Sequence, residues 1–271
     1  MEHFKSPFEA NDLSSERATE NREFFDGLLR RAGNHRLFSH PFLWNAGGAT
    51  LPHHTMAFIL TSFYGIVAPF TGLLCSLGGH APSLRSRFAL MDNIYEEMGC
   101  GDLNSAHPRL YLRMLASMGV SEPAAEGFPT LPSVCRINDH LREVVEQRPF
   151  SVACAVLASA EATIPATFPP LASMARSAFR EIDTTFFDRH GVRDEGHSAD
   201  ASMLFSITAS RSDFSVAEQD VEIDLEHRSE LFDEWISAIS EGALDSRSND
   251  PARPLSARPP APKRQSVPPP A

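Results

Sequence analysis

The chain has no aspartate or glutamate between Asp26 and Asp92. That stretch can offer neither a metal ion nor a proton-transfer step any carboxylate, so the carboxylates of a reactive site must come from outside it. Alternating runs of β-branched residues bounded by turn residues are nearly absent too, which excludes an extended sheet and leaves helical periodicity as the organising pattern. Basic charge is scarce: 24 Lys and Arg against 35 Asp and Glu give a net charge of −11 and a pI near 5.4. No basic field draws in a polyanion, and nucleic acid is not an expected partner. The four cysteines, Cys75, Cys100, Cys135 and Cys154, lie far apart with no C-x-x-C pair, which argues against a zinc knuckle or a disulfide framework. With a polar, charged N-terminus that lacks an apolar stretch and cleavage site, this points to a reducing, cytoplasmic setting.

What the acid-free gap holds instead is apolar. The run "TMAFILTSFYGIVAPFTGLLCSLGG" (55–79) is uncharged and long enough to span a bilayer. Thr61, Ser62, Gly65, Pro69 and Thr71 within it, and the lack of a second such run, favour a central helix buried in a bundle over a membrane span. Apolar residues recur at helical spacing elsewhere, and the chain reads as all-α, with helices predicted at 13–31, 37–46, 53–77, 82–98, 107–118, 137–147, 150–175, 177–209 and 215–243. The expected organisation is an N-terminal helical extension (1–34), one helical domain (35–245) and a tail (246–271). The tail holds eight of the 21 prolines and almost no large apolar residues. It cannot bury enough surface to fold and is expected to be disordered.

Three segments carry candidate metal ligands. In "HGVRDEGH" (190–197), offsets of 0, 4 and 7 put His190, Asp194 and His197 on one helical face, while Glu195 points roughly 100° away from Asp194. Alone, this triplet fits a metal site or a solvated helix face equally well. In "NIYEEMGCGDLNSAHP", Glu97 and His107 bracket a break at Gly99 and Gly101. On an unbroken helix they would splay by roughly 80°, and the break frees both to turn inward. Glu161 is the only charged residue between Arg148 and Arg176, and a lone carboxylate on an apolar helix is costly to bury without a cation or metal. Pro165, four residues on, removes the donor to the Glu161 carbonyl and predicts a kink there.

Taken in order, E-x-G-x-G with a histidine ten residues after the glutamate, Glu161 with Pro165, and "FF-x-x-H-x-x-x-D-E-x-H" from Phe186 to His197 resemble the haem-oxygenase-like diiron oxidases and oxygenases. The resemblance runs from residue 37 to about 210. It implies a seven-helix haem-oxygenase-like bundle, here with additional terminal helices. It also implies that Glu97, His107, Glu161, His190, Asp194 and His197 ligate two Fe(II), with Asp194 the candidate shared ligand and O2 the co-substrate. Many members carry one more ligand glutamate upstream on the central helix. The acid-free gap shows that it is missing here, so one iron should be held weakly or completed by substrate or water; His53, His54 and Tyr64 are near enough in sequence to substitute.

The same resemblance implies small substrates resembling amino acids, amines or fatty acids, and outcomes such as N-oxygenation, oxidative carbon–carbon cleavage or desaturation in secondary-metabolite biosynthesis. The expected partner is a small-molecule substrate, without nucleic acid or membrane, and a homodimer is left open. The pocket is expected between 53–77 and 150–175, lined by Gly65, Ala68, Gly72, Ala158 and Ala162, with Arg85, Arg87, Arg176 or the iron itself meeting a substrate carboxylate. Three other readings compete: a cofactor-independent enzyme of the thiamine-salvage or quinone-maturing (TenA/PqqC-like) kind on the same scaffold, a non-catalytic helical binding protein, and a self-sacrificing oxidase that consumes one of its own side chains.

Overall fold

Serine caps punctuate this chain, and the helices start where those hydroxyls can take up an orphan amide. Ser15, Ser83 and Ser121 each accept a hydrogen bond from the backbone N–H three residues on. The computed structural model describes residues 7–45 and 51–240, the side chains of residues 10, 11, 45 and 191–197 excepted. The helices are α1 (Ala10–Leu13), α2 (Glu16–Ala32), α3 (Pro41–Asn45), α4 (His53–His80), α5 (Leu84–Glu97), α6 (His107–Ser117), α7 (Glu122–Glu126), α8 (Pro132–Gln147), α9 (Phe150–Ala162), α10 (Ile164–Ala178), α11 (Thr185–Thr208) and α12 (Phe214–Ser240). Among the described residues there is no strand, and the all-α reading holds. The tail at 246–271 lies outside the described residues.

The predicted boundaries shift where proline or a cap decides them. α8 starts at Pro132, not 137, because proline suits the first turn of a helix, where its missing N–H costs nothing. The 122–126 stretch, expected as loop, is the Ser121-capped α7. The 150–175 helix breaks at Thr163 into α9 and α10, as Pro165 requires. The helix predicted from 177 begins only at 185, and 37–46 divides into a 3-10 turn (Arg36–Ser39) and α3, which opens with Pro41.

α4 packs on α5, α6 and α8, while α9 packs on α11 and α12; the α9–α11 pair is the most extensive. Contrary to expectation, a second stretch, Phe150–Ala178, is also long and apolar enough to cross a membrane; its apolar window is 72% buried inside the bundle and that of α4 50%, as core helices are. Buried polar groups fasten the layers. The Trp235 indole donates to Ser62 Oγ at 2.9 Å, and the Tyr111 hydroxyl donates to the Leu60 carbonyl at 2.7 Å. α2 closes the end of α11: Arg17 Nε donates to the Ala209 carbonyl at 2.9 Å, and Asn21 Nδ2 donates to the carbonyls of Ser206 (2.8 Å) and Ala209 (2.9 Å). These donors satisfy carbonyls that a helix C-terminus leaves open.

Candidate metal centre

α5 ends at Glu97, α6 begins at His107, and the turn between them aims both side chains. Gly99, Cys100 and Gly101 have φ of +81°, +56° and +90°. A Cβ on Gly99 would lie 2.2 Å from the Asp102 carbonyl oxygen and 2.4 Å from Ala106 N, so only glycine fits there. Asp102 pins the turn, accepting from the Ser105 hydroxyl at 2.8 Å and the Asn104 N–H at 3.0 Å. Those two bonds hold its carboxyl below the usual carboxylate range. The result is a Glu97 Oε1 to His107 Nδ1 distance of 2.8 Å between two buried side chains.

α11 brings in His190, also buried, with its ring centroid 4.4 Å from that of His107. His190 Nδ1 lies 2.8 Å from the Phe186 carbonyl oxygen one turn earlier. A carbonyl can only accept, so Nδ1 carries the proton and the lone pair resides on Nε2. One ligand atom each from Glu97, His107 and His190 lie within 4.8 Å of one another. Donors bonded at about 2.1 Å to a common ion sit up to about 4.2 Å apart, so small side-chain adjustments suffice to close this cluster on a metal. Two imidazoles and one carboxylate are also the donor set that suits non-haem Fe(II). The residues present fit an iron ion.

Glu161, 3% exposed on the last turn of α9, lines the same cavity outside that cluster. The Ser198 hydroxyl donates to the Ala158 carbonyl at 3.1 Å, which holds α11 against α9 one turn from Glu161. Asp194 and His197 belong to the intervening turns of α11, but their side chains, like that of Glu195, lie outside the described residues. His53 and His54 are exposed, with His53 stacked on Phe179 at 4.7 Å, and Tyr64 packs on Tyr111; none of the three lines the cavity. Burial raises the Tyr111 pKa well above its ordinary value, and the hydroxyl stays a neutral donor to Leu60.

The cavity has about 840 Å³ of empty space, part of it open to solvent. α4 and α9–α10 do line it, but not with the small residues predicted. Its walls are bulky: Phe63, Val67 and Phe70 from α4, Phe168 and Leu171 from α10, and Phe232 from α12. Gly65 serves packing instead, since a Cβ there would meet Val134 Cγ1 at 2.9 Å. The cation at the cavity is also not one of those predicted. Arg85 pairs with Asp12, Arg87 Nε donates to the Gly78 carbonyl, and Arg176 pairs with Asp188. Arg228 of α12 lines the wall, its Nε and Nη2 held by the fully buried Asp224 at 2.7 and 3.2 Å. A signal for it was present: an Asp–Arg pair at i,i+4 set among Val221, Leu225, Leu231 and Phe232.

Residues 57–214 match the family of iron-containing redox enzymes. No curated protein sequence is significantly similar to the chain. Among solved structures, a TenA homologue from Pseudomonas syringae pv. tomato superposes with a TM-score of 0.62 at 15% identity, covering 88% of this chain and 99% of its own. A CADD-like protein of unknown function from Nostoc punctiforme gives 0.68 at 12% identity, over 81% and 98%. A domain of unknown function with a heme oxygenase-like fold from Shewanella denitrificans gives 0.64 at 14% identity, over 87% and 96%. At these identities the likeness concerns the fold, which is the haem-oxygenase-like all-α bundle.

Proposed function

Because the chain belongs to the family of iron-containing redox enzymes, we propose that it is a non-haem diiron oxygenase or oxidase that uses O2 to oxidise a small, largely apolar metabolite. The observation that carries this reading is the buried Glu97, His107 and His190 cluster on the wall of an apolar cavity. These three residues would hold one iron; Glu161, with Asp194 and His197, would hold the second. Bound there, ferrous iron would supply the electrons that reduce O2.

The chain's own residues prepare that chemistry. The Phe186 carbonyl keeps the His190 proton on Nδ1 and presents Nε2 as the donor. Phe63, Phe168 and Phe232 give the cavity an apolar wall, which disfavours water beside a reactive oxidant and so limits side reactions. Asp224 orients Arg228 through the Nε/Nη2 edge of the guanidinium, leaving Nη1 to meet a polar end of the substrate. Four free cysteines, two of them exposed, suit a reducing compartment.

The test is to load iron-free protein anaerobically with Fe²⁺, count the bound metal, and measure O2 consumption against free iron. Stoichiometric binding with faster O2 uptake supports the proposal. The likeness to a TenA homologue favours a second reading, a cofactor-independent enzyme on the same scaffold. Under that reading Fe²⁺ neither binds nor consumes O2 faster than it does free in solution.

A further inference from the structure

A second cavity adjoins the first. It lies among α4, α8 and α9 and has about 330 Å³ of empty space, part of it open to solvent. Phe70 of α4 and Leu141 of α8 line both cavities, so the two share a wall. Pro69 sets up this region. Lacking an N–H, it leaves the Gly65 carbonyl without a donor from its own helix, and Asn138 Nδ2 of α8 donates to that carbonyl at 2.8 Å instead. α4 and α8 are thus pinned at Gly65, where Val134 takes the space that a Cβ would need. The cavity opens beyond this contact, from Phe70 and Leu141 onward.

The lining decides what can occupy it. Among the described residues, every side chain on its wall is aliphatic or phenylalanine. A site for an organic metabolite carries a few placed polar groups that fix its orientation, as Glu97, His107, Glu161 and Arg228 supply in the main cavity. This wall has none to offer. It suits water no better, since a buried water needs polar partners, whereas apolar cavities stay dry and take up small apolar guests such as xenon. Exposure is also graded: Leu73 and Val145 are half-buried, while Leu74, Val144 and Val156 are at most 2% exposed. The lining therefore runs from the solvent side to the interior and meets the main cavity at Phe70 and Leu141.

We propose that O2 occupies this second cavity and passes between Phe70 and Leu141 to the main one. A side entrance of this kind admits O2 after the substrate has filled the main cavity and closed its mouth. The inference rests on O2 being the co-substrate, but occupancy by a gas needs neither iron nor substrate.

Xenon pressure on crystals of the iron-free full chain tests the site. Xenon should appear beside Val144 and Val156, and Val156→Phe, which fills that space, should remove it. Passage is read from Trp235. Trp44 and Trp235 are the only tryptophans. Trp44 is 73% exposed, whereas the Trp235 ring lies 6.2 Å from Phe63 and 5.4 Å from Phe232 of the main cavity. In a Trp44→Phe background, dissolved O2 should quench Trp235 fluorescence. Adding Val156→Phe should slow that quenching severalfold, with helicity and melting unchanged by circular dichroism. Should Val156→Phe fail to fold, Val145→Phe at the half-buried mouth decides by the same two readings. A wild-type cavity that takes up no xenon would overturn the proposal. So would quenching that a folded plug leaves unchanged, because O2 would then enter by the main mouth. In the iron-loaded enzyme the plug should raise KM for O2 and leave kcat unchanged. Xenon uptake and plug-sensitive quenching in a chain that binds no Fe²⁺ would uphold the gas route and refute the diiron reading, so the two fail separately.

Discussion

The Nδ1 of His190 lies 2.8 Å from the carbonyl oxygen of Phe186, one turn back along α11, and this one contact decides which imidazole nitrogen faces Glu97 and His107. A histidine whose second nitrogen is held by a backbone carbonyl is fixed in tautomer and ring orientation, as a metal ligand needs to be. His190→Ala should abolish stoichiometric Fe²⁺ binding, a loss larger than the roughly 10–100-fold that outer partners of a ligand cost. Asp194→Ala should do the same, whereas Glu195→Ala, roughly 100° away around the helix, should leave binding nearly intact. Iron counted on purified variants checks this, and equal losses at Asp194 and Glu195 would contradict the helical-face argument.

The Gly99 turn offers a stability test that is independent of metal. Gly99→Ala combines a left-handed backbone with a Cβ 2.2 Å from a carbonyl oxygen, so the turn must open. A cost of about 3 kcal/mol or more is expected. Gly101→Ala has a similar φ, but its Cβ would meet nothing nearer than the Tyr95 hydroxyl at 3.6 Å, and only the conformational cost of about 1–2 kcal/mol applies. Urea unfolding of the two iron-free variants should rank them in that order; equal costs would mean the clash is relieved without opening the turn.

Much of this site could be read from residue spacing. The two glycines between Glu97 and His107 announced a break, and the break does bring the pair together. Glu161 stands out by its isolation among apolar residues and lines the cavity, and Pro165 marks the helix break by the hydrogen bond it cannot donate. Arg228 leaves only an ambiguous signal in the sequence, because its role depends on which face of the long α12 turns inward, and an i,i+4 pair with Asp224 also occurs on solvated faces. The cavity lining was misjudged for a related reason. Small residues on α4 suggest space for a ligand, whereas Gly65 is small because Val134 of α8 comes so close. Composition shows that a residue is small, but only the tertiary arrangement shows what fills the space beside it.

The buried pair beneath the cavity should respond asymmetrically to mutation. Asp224 is fully buried and the Arg228 side chain 17% exposed, and removing one partner strands the other charge. Asp224→Leu should cost about 3–5 kcal/mol. The double variant Asp224→Leu/Arg228→Met replaces the pair with apolar groups of similar volume and should recover most of that loss. Denaturant unfolding of both variants measures the difference, and a double variant no more stable than Asp224→Leu would show that the pair does more than neutralise itself.

His227 makes stability depend on pH in a definite direction. Burial first, and then the positive field of the neighbouring His140, hold its pKa below the ordinary 6.5, against the opposing pull of Glu230 and Asp224. Above pH 6.5 the imidazole is neutral in both folded and unfolded chains and contributes no difference. As the pH falls below that value the unfolded chain takes up a proton that the folded chain still refuses, so stability is lost progressively until the folded pKa is passed. Unfolding free energies measured at about pH 7.5 and about pH 5.5 should therefore differ more for the wild-type chain than for His227→Gln, which has no proton to take up. An unchanged slope in the variant would assign the acid sensitivity to other groups, the first candidates being Glu226 and Asp233. The Arg36 guanidinium holds the carboxyl of Glu226 below its usual range, and with His40 it does the same for Asp233 against burial, so their contribution is lost only at lower pH.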